Sequence, residues 1–228
     1  MVAAPNPQIP SPPEGSDTAL VSPDVKRENL PSPPSGQPLP RLGILASGSG
    51  SNFEAIAQSI ALGHLQAEIP LVIYNNPGAT VVARADRWGV PTVLLNHRDF
   101  AQREDLDRAI AHTLQQYQVQ WVIMAGWMRI VTPILIEAFP QRLINIHPSL
   151  LPSFKGTKAV EQALAAGVKI TGCTVHLVVP EVDSGPILMQ AAVPIFPHDT
   201  PATLHQRIQV QEHRIFPAAI AAAISATA

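Results

Sequence analysis

The sequence predicts an α/β protein with a Rossmann-like mixed, mostly parallel sheet, helices on both faces, and a C-terminal hairpin plus helix. From Arg41 onward, short apolar runs alternate with segments that carry the hydrophobic period of a helix, which is the pattern of βαβ units. Two later strand-like runs are joined by a turn rich in Pro, Asp, Ser and Gly, which predicts an antiparallel hairpin. The sheet is therefore expected to be mixed, since βαβ units pair their strands in parallel.

The N-terminal segment differs in composition from the rest of the chain. Eleven of the 24 prolines fall in the first 40 residues, interleaved with Ser, Gly and Gln. Such a segment buries too little apolar surface to offset the entropy lost on ordering. We expect residues 1–39 to form a disordered Pro-rich tail, with a Pro-rich docking arm as the alternative, and residues 40–228 to form one folded domain.

Composition and charge exclude several function classes. The 228 residues are 46% hydrophobic and 14% charged, which is enough for a sizeable core, and the net charge is −2. Because no basic run is present, nucleic acid is not expected as the main partner, although a small anionic ligand needs only a local site. Cys173 is the single cysteine, so no intrachain disulfide is possible and a reducing compartment is natural. No apolar run reaches membrane-spanning length, and the N-terminus shows no signal pattern. We therefore expect a cytoplasmic protein without membrane association.

The first strand and helix of the domain enclose a glycine-rich loop. Residues 42–46 have the pattern of a buried strand, and Ser and Gly alternate over residues 47–51 before a helical pattern begins. Ser51 and Glu54 have the spacing of a capping box, so the helix is expected to start there. Glycines allow a sharp turn that leaves the N–H groups of the helix start facing an anion. The loop over residues 47–52 therefore predicts a phosphate cradle, with a plain tight turn as the alternative.

A dinucleotide-binding fingerprint is the main rival for this loop, and two positions exclude it. Phe53 stands where the fingerprint requires a third glycine. The second strand, over residues 69–74, ends in Asn75 and not in the acidic residue that would hold a ribose hydroxyl. A single phosphate is therefore expected here, not NAD.

Further elements alternate along the chain up to the strand that carries the candidate site. The pattern predicts a helix over residues 80–88, a strand over 91–95 and a loop over 96–99. The next helix has the buried stripe Leu106, Ala109, Ile110 and Leu114. A strand over 121–125, a helix from about Thr132 and a strand over 143–147 follow. The loop after residue 125 combines bulky apolar side chains with Arg129. A flat hydrophobic ligand with an anionic end would need this mixture, although ordinary packing also accounts for it.

The C-terminal part supplies the hairpin and the last helix. The expected elements are a helix over residues 157–166, strands over 171–179 and 187–193, and a final helix with Thr200 as its N-cap and Pro201 at its first position. The final helix carries Gln209 and Glu212 on one face.

Asn145 and His147 carry the strongest chemical signal, together with Asp183 on the hairpin turn. Alternate residues of a strand share a face, and Pro148 ends regular pairing after His147. The amide and the imidazole therefore project together from a strand end, where open α/β sheets bind ligands. The amide can donate to an oxygen that becomes negative, and the imidazole can transfer a proton. A neighbouring carboxylate can orient the ring and favour its protonated form.

These residues leave several functions open. No G-x-S-x-G elbow is present and Cys173 lies in an apolar strand, so the nucleophile of an acyl transfer is expected to come from a substrate. A metal site of His147, His176 and Asp183 lacks the helical spacing of metal motifs, and no metal is expected. Asp183 could also be a turn residue chosen for its local hydrogen bonding. A non-catalytic nucleotide- or folate-binding module would need the phosphate cradle and a pocket, but not Asn145, His147 and Asp183.

Six ordered motifs resemble those of the phosphoribosylglycinamide formyltransferase family, the folate-dependent enzymes of purine biosynthesis. They are Ser-Gly-Ser-Gly-Ser-Asn at 47–52, Ala-Gly-Trp-Met-Arg-Ile at 125–130, Asn-Ile-His-Pro-Ser-Leu-Leu-Pro-Ser-Phe-Lys-Gly at 145–156, Gly-Cys-Thr-Val-His-Leu-Val at 172–178, Asp-Ser-Gly at 183–185 and Gln-Glu-His-Arg-Ile-Phe-Pro at 211–217. The resemblance runs from about Arg41 to the last helix and implies the formyltransferase fold, with residues 40–228 as a catalytic domain.

The resemblance also implies an activity. The amine of glycinamide ribonucleotide, N1-(5-phospho-D-ribosyl)glycinamide, would attack the formyl carbon of 10-formyltetrahydrofolate in de novo purine (IMP) biosynthesis. His147 would act as general acid, Asn145 would bind the oxyanion, and Asp183 would support His147. The ribonucleotide would be held by Gly50, Ser51, Asn52, Gln209 and Glu212. The folate would be bound by Arg103, Met128, Arg129, Ile130, Val131, Asn145, Val179, Pro180, Glu181, Val182 and Asp183.

Two alternatives share parts of this site. Formyltetrahydrofolate deformylase, a hydrolase, would use the same Asn, His and Asp set with water as acceptor, and a binding module would use only the pockets. The phosphate cradle favours a phosphorylated acceptor. The expected partners are the two small-molecule substrates alone, with no metal, nucleic acid or membrane, and the chain is expected to be a monomer or homodimer.

Overall fold

Eight strands of the described chain form one mixed sheet in the computed structural model, which describes residues 20–23 and 38–227. The strands are β1 (Val21–Ser22), β2 (Arg41–Ala46), β3 (Glu68–Tyr74), β4 (Thr92–Leu94), β5 (Trp121–Met124), β6 (Leu143–His147), β7 (Ile170–Leu177) and β8 (Ile187–Pro194). Their order across the sheet is β1-β8-β7-β6-β5-β2-β3-β4. Strands β2 to β6 pair in parallel, whereas β7 and β8 are antiparallel to their neighbours. The predicted mixed, mostly parallel sheet is confirmed.

Helices cover both faces of this sheet, as predicted. They are α1 (Ser51–Ala61), α2 (Val81–Arg87), α3 (Arg103–Gln116), α4 (Pro133–Ala138), α5 (Ala159–Ala165) and α6 (Pro201–Ser225). Helices α1, α2, α5 and α6 pack on one face, where Phe53 and Phe216 are fully buried. Helices α3 and α4 pack on the other, around Ile110 and Leu135. Each helix turns its apolar stripe to the sheet, so both faces of the sheet are excluded from water.

The strand order reverses beside β2 and creates a crevice. The chain runs outward from β2 to β3 and β4 and then returns to β5 on the other side of β2. The loops that leave the carboxyl ends of β2 and β5 therefore diverge, which is where α/β sheets bind ligands. Their bases are held together, because the N–H of Ser47 donates to the Gly126 carbonyl (3.0 Å) and the N–H of Met128 donates to Ser47 Oγ (2.8 Å). Strand β6, which ends at His147, pairs in parallel with β5 and so ends at the same edge.

A segment of the Pro-rich region adds an unexpected strand to the sheet edge. Strand β1 pairs antiparallel with β8, and the N–H of Ala192 donates to the Leu20 carbonyl at 3.0 Å. The prediction of disorder is therefore wrong for Leu20–Pro23. Backbone hydrogen bonds to an open sheet edge can order a short segment whose side chains bury little surface. The rest of the predicted tail up to residue 37 lies outside the described residues.

Candidate active site

The glycine loop after β2 turns into α1 with the geometry that an anion site requires. Gly50 is the N-cap of α1 in the left-handed conformation, with φ of 74°. A Cβ at this position would lie 2.4 Å from Val81 Cγ2, so both the backbone and the space require glycine. The first N–H groups of α1, from Ser51 onward, lack an intrahelical acceptor and point out of the helix start. The helix dipole favours an anion at the same place.

The expected capping box of Ser51 and Glu54 does not form. Gly50 takes the N-cap position, and the Ser51 hydroxyl accepts a hydrogen bond from Gln209 Nε2 at 2.8 Å. The Glu54 carboxylate faces α2, where it pairs with Arg84 and Arg87 at 2.6 and 2.7 Å. The spacing along α1 is right for a capping box, but charged partners from another helix take up the carboxylate.

Helix α6 brings both remaining ribonucleotide candidates to this loop. Gln209 reaches Ser51, and Asn52 Nδ2 donates to Glu212 Oε2 at 3.1 Å inside the protein. Burial raises the pKa of Glu212, and the hydrogen bond from Asn52 offsets this only in part. The Oδ1 of Asn52 is buried and has no partner within the described chain. An unpaired acceptor at the edge of an anion site is suited to a hydroxyl of the ligand.

Strand β6 presents Asn145 and His147 on one face, as its alternation predicts. His147 is the last residue of the strand and is 6% exposed, and Asn145 is partly buried. The antiparallel register places His176 of β7 opposite Asn145. Asn145 Nδ2 lies 3.2 Å from His176 Nε2, so the end of this sheet face carries an amide and two imidazoles.

Asp183 lies between the two imidazoles. Its Oδ2 is 3.3 Å from His147 Nδ1, and its Oδ1 is 3.6 Å from His176 Nε2. The N–H of Gly156 also donates to Oδ2, at 2.8 Å. Burial alone would raise the pKa of Asp183, but the hydrogen bonds from His176 and Gly156 and the charge of His147 bring this pKa below its ordinary value. The carboxylate is therefore ionised at neutral pH and can stabilise an imidazolium.

The loop after β6 holds this pair through its main chain. His147 Nε2 donates to the Phe154 carbonyl at 2.9 Å, two residues before the Gly156 amide that binds Asp183. Phe154 has a left-handed backbone with φ of 56°, which is uncommon for a bulky residue. His147 thus has an acceptor at each ring nitrogen, an arrangement that a doubly protonated ring satisfies fully. The sequence assigned no chemistry to this loop, because a main-chain contact leaves no side-chain signature.

The loop between β5 and α4 exposes the apolar side chains that were expected to contact a folate. Met128 is 78% exposed and Ile130 is 53% exposed. Large apolar side chains with this exposure mark a surface that an apolar ligand can cover. Val131 differs from the expectation, because its side chain is buried in the core cluster between the sheet and α3 and α4.

Arg103 and Arg129 line one cavity of about 560 Å³, together with His97 and Gln102. Arg103 begins α3, and Arg129 belongs to the loop after β5, so the fold brings together two guanidinium groups from distant segments. Such a pair can bind carboxylates bidentately. The Nε of Arg129 is buried without a partner among the described residues.

The loop between β7 and β8 forms the opposite wall of the site. Pro180, Glu181 and Val182 are exposed and Val179 is half-buried, whereas the Asp183 side chain turns inward and is 9% exposed. Lys155 Nζ lies 3.4 Å from Glu181 Oε1 and links this wall to the loop after β6. Hydrogen bonds from Ser184 and Lys155 lower the pKa of Glu181.

A buried carboxylate that was not predicted from the sequence lies next to the cavity of Arg103 and Arg129. Asp107 of α3 is 2% exposed and accepts a hydrogen bond from the N–H of Thr132 at the start of α4. Burial raises the pKa of Asp107, and the hydrogen bond from Thr132 opposes this. Its position beside Leu106 in the apolar stripe of α3 was the available signal.

Metal-binding groups and membrane-spanning helices are both absent from the described ranges, 20–23 and 38–227. No group of three or more His, Cys, Asp and Glu side chains in these ranges could hold a metal ion, although His147 and His176 both face Asp183. No helix there is long and apolar enough to cross a membrane.

Comparison with known proteins gives consistent matches. A model of the formyl transferase family matches residues 41–220. The human trifunctional purine biosynthetic protein adenosine-3 is 43% identical over 187 residues, which cover 82% of this chain but only 18% of that protein. The phosphoribosylglycinamide formyltransferase of Bacillus subtilis is 39% identical over 180 residues, which cover 79% of this chain and 92% of the relative.

A solved structure agrees with these matches. The crystal structure of glycinamide ribonucleotide transformylase 1 from Symbiobacterium toebii has a TM-score of 0.79 and 44% identity, and the match covers 82% of this chain and 91% of that one. The fold, the site and the family match over most of the chain together show that this protein belongs to the formyl transferase family.

Proposed function

We propose that this formyltransferase moves the formyl group of 10-formyltetrahydrofolate to the amine of N1-(5-phospho-D-ribosyl)glycinamide in de novo purine biosynthesis. The observation that carries the proposal is the assembly of Asn145, His147 and Asp183 at the sheet edge where the phosphate loop also opens. The single cysteine, Cys173, is no rival nucleophile, because burial raises its pKa well above the ordinary value. The names of the bacterial relatives support the same acceptor.

The ribonucleotide is assigned to the start of α1. Its phosphate would accept hydrogen bonds from the N–H groups of Ser51 and Asn52, with support from the helix dipole. The unpaired Oδ1 of Asn52 and the carboxyl of Glu212 are suited to the ribose hydroxyls. Gln209 supports the cradle through the Ser51 hydroxyl. The glycinamide amine would then extend toward His147.

The folate is assigned to the crevice between the loops after β5 and β7. Arg103 and Arg129 would bind the carboxylates of its glutamate, since both guanidinium groups line one cavity. The exposed side chains of Met128, Ile130 and Val182 would cover its flat apolar part. The residues present therefore fit a ligand that is flat and apolar at one end and anionic at the other.

The proposed transfer forms one C–N bond and breaks another. The amine lone pair attacks the formyl carbon and places negative charge on the formyl oxygen, where Asn145 and His147 donate hydrogen bonds. Collapse restores the carbonyl and breaks the bond between that carbon and N10. His147 gives a proton to N10, which leaves as tetrahydrofolate, and the proton released by the attacking amine returns to His147. Asp183 stabilises the imidazolium, and the substrate replaces Phe154 as the acceptor for His147 Nε2.

The test is an assay of formyl loss from 10-formyltetrahydrofolate with and without the ribonucleotide. We expect tetrahydrofolate to form only when the ribonucleotide is present, with one formylated ribonucleotide per turnover. His147→Ala should slow the reaction by about 10²–10⁴-fold, whereas His112→Ala, at an exposed position of α3, should leave its rate unchanged. Release of formate without the ribonucleotide would make the protein a deformylase. Binding of both ligands without turnover would make it a binding module.

We also propose that the enzyme works in the cytoplasm. The chain has one cysteine, which is buried, so no intrachain disulfide is formed and a reducing compartment suits the protein. Cell fractionation with an antibody against the protein would test this proposal, since recovery in a membrane or secreted fraction would contradict it.

A further inference from the structure

The phosphate loop of the proposed site, residues 47–50, accepts hydrogen bonds from residues 76–84, the segment that follows β3. An anion cradle presents N–H groups to its ligand, so the carbonyls of the same peptides must point away and find other donors. The carbonyls of Ser47, Gly48 and Ser49 all accept hydrogen bonds from this one segment. The three bonds together determine which way the loop peptides face.

The three donors differ in kind. Asn76 Nδ2 donates to the Ser47 carbonyl at 2.8 Å, and the N–H of Val81 donates to the Gly48 carbonyl at 3.1 Å. Arg84 Nε donates to the Ser49 carbonyl at 2.8 Å. The next carbonyl, that of Gly50, already accepts the first hydrogen bond of α1. Arg84 therefore holds the last peptide of the loop before the helix begins.

Arg84 also holds α1 itself. Its Nη1 donates to Glu54 Oε2 at 2.6 Å, so one planar group binds the loop and the first turn of the helix at once. Glu54 receives two further donors, Arg87 Nη2 at 2.7 Å and Trp88 Nε1 at 3.0 Å. Arg87 shares this carboxylate with Arg84, but its Nη2 donates to Glu54 and not to the loop.

We propose that Arg84 is a positioning residue for the ribonucleotide phosphate. By binding the Ser49 carbonyl and the Glu54 carboxylate together, it keeps the loop in the conformation whose N–H groups face the phosphate. The inference rests on the proposed function. Arg84 acts through the loop, since its Nε and Nη1 are directed at Ser49 and Glu54.

Steady-state kinetics of three variants test this role. Arg84→Met removes both contacts. Arg84→Lys keeps a positive charge near Glu54, but a lysine cannot donate to the Ser49 carbonyl and to Glu54 with the planar geometry of a guanidinium group. Arg87→Met is the matched control, because it removes a charge from the same carboxylate without touching the loop. Both Arg84 variants should raise the KM for the ribonucleotide about five- to tenfold, the effect of one lost hydrogen bond. Their kcat and their KM for 10-formyltetrahydrofolate should stay within about twofold, as should all constants of Arg87→Met.

Inorganic phosphate gives a second readout that a general loss of stability would not reproduce. Phosphate should inhibit competitively against the ribonucleotide. Its inhibition constant should rise in Arg84→Met by the same factor as the KM for the ribonucleotide. Wild-type KM in Arg84→Lys would overturn the proposal, because charge alone would then suffice. The proposal would also be overturned if Arg84→Met and Arg87→Met raised the KM for the ribonucleotide equally. An effect of Arg84→Met that is spread over kcat and both KM values would overturn it as well. A wild-type enzyme without ribonucleotide-dependent turnover would refute the proposed function instead.

Discussion

The substitution Asp183→Asn tests the negative charge of this side chain separately from its role in holding the loop after β6. Asparagine keeps the shape and an acceptor for the Gly156 N–H, which donates to Asp183 at 2.8 Å. The substitution removes the negative charge that lies 3.3 Å from His147 Nδ1. The loops should therefore stay in place, while a protonated His147 loses its counter-charge.

The expected loss of kcat is about 10²–10³-fold, the lower part of the range for acid–base catalysis. The corresponding change in the serine-protease triad costs about 10⁴-fold. The coupling here should be weaker, since 3.3 Å is long for a charge-assisted hydrogen bond and His176 shares the carboxylate at 3.6 Å. A kcat within about threefold of the wild type would refute the assignment of Asp183 as partner of the catalytic acid.

The same variant has a predictable pH dependence of stability. The pKa of Asp183 is lowered in the folded protein, so its carboxylate stabilises the fold above the unfolded pKa of about 3.9 and loses this effect as the pH falls through the folded pKa. The free energy of unfolding of the wild type should exceed that of the variant by about 1 kcal/mol from about pH 5 to 8. Urea denaturation of the wild type and the variant from pH 3 upward measures this difference. A difference that grows toward low pH would contradict the sign.

Three further changes test other parts of the account. Asn145→Ala should lower kcat by about 10²–10³-fold in steady-state assays, because one donor to the oxyanion is lost. Arg103→Met and Arg129→Met should each raise the KM for 10-formyltetrahydrofolate about tenfold, and a parallel rise in the ribonucleotide KM would contradict the assignment. Removal of residues 1–24 should lower Tm by about 2–4 °C in thermal denaturation, whereas removal of residues 1–19 should not, because only the longer deletion removes β1. Turnover should be unchanged in both truncated proteins.

Elements with strong local signals were predictable from the sequence. Strand β6 was expected over residues 143–147 and is found there, because an apolar alternation ends at Pro148. Helix α6 begins at Pro201 with the expected N-cap, Thr200, whose hydroxyl accepts a hydrogen bond from the N–H of Thr203. Asn145 and His147 followed from the same alternation. Asp183 was grouped with them on chemical grounds, with a plain turn residue as the alternative, because spacing in sequence does not specify a contact between two loops.

The features that were missed depend on partners distant in sequence. Glu54 has the spacing of a capping box, yet its carboxylate faces Arg84 and Arg87 of another helix. Strand β1 is held by backbone hydrogen bonds to β8, which any short extended segment could make. The Phe154 carbonyl that binds His147 is likewise a main-chain group. Contacts of this kind are specified by tertiary structure, and residue type carries little information about them.

The most direct test of the account follows a labelled formyl group through a single turnover. With enzyme in excess over a carbon-13-labelled formyl donor, the label should be found on the glycinamide amine of the ribonucleotide. His147→Ala should slow this transfer by about 10²–10⁴-fold while both substrates still bind. Label released as formate at a rate independent of the ribonucleotide, or transfer at the wild-type rate without His147, would contradict the account.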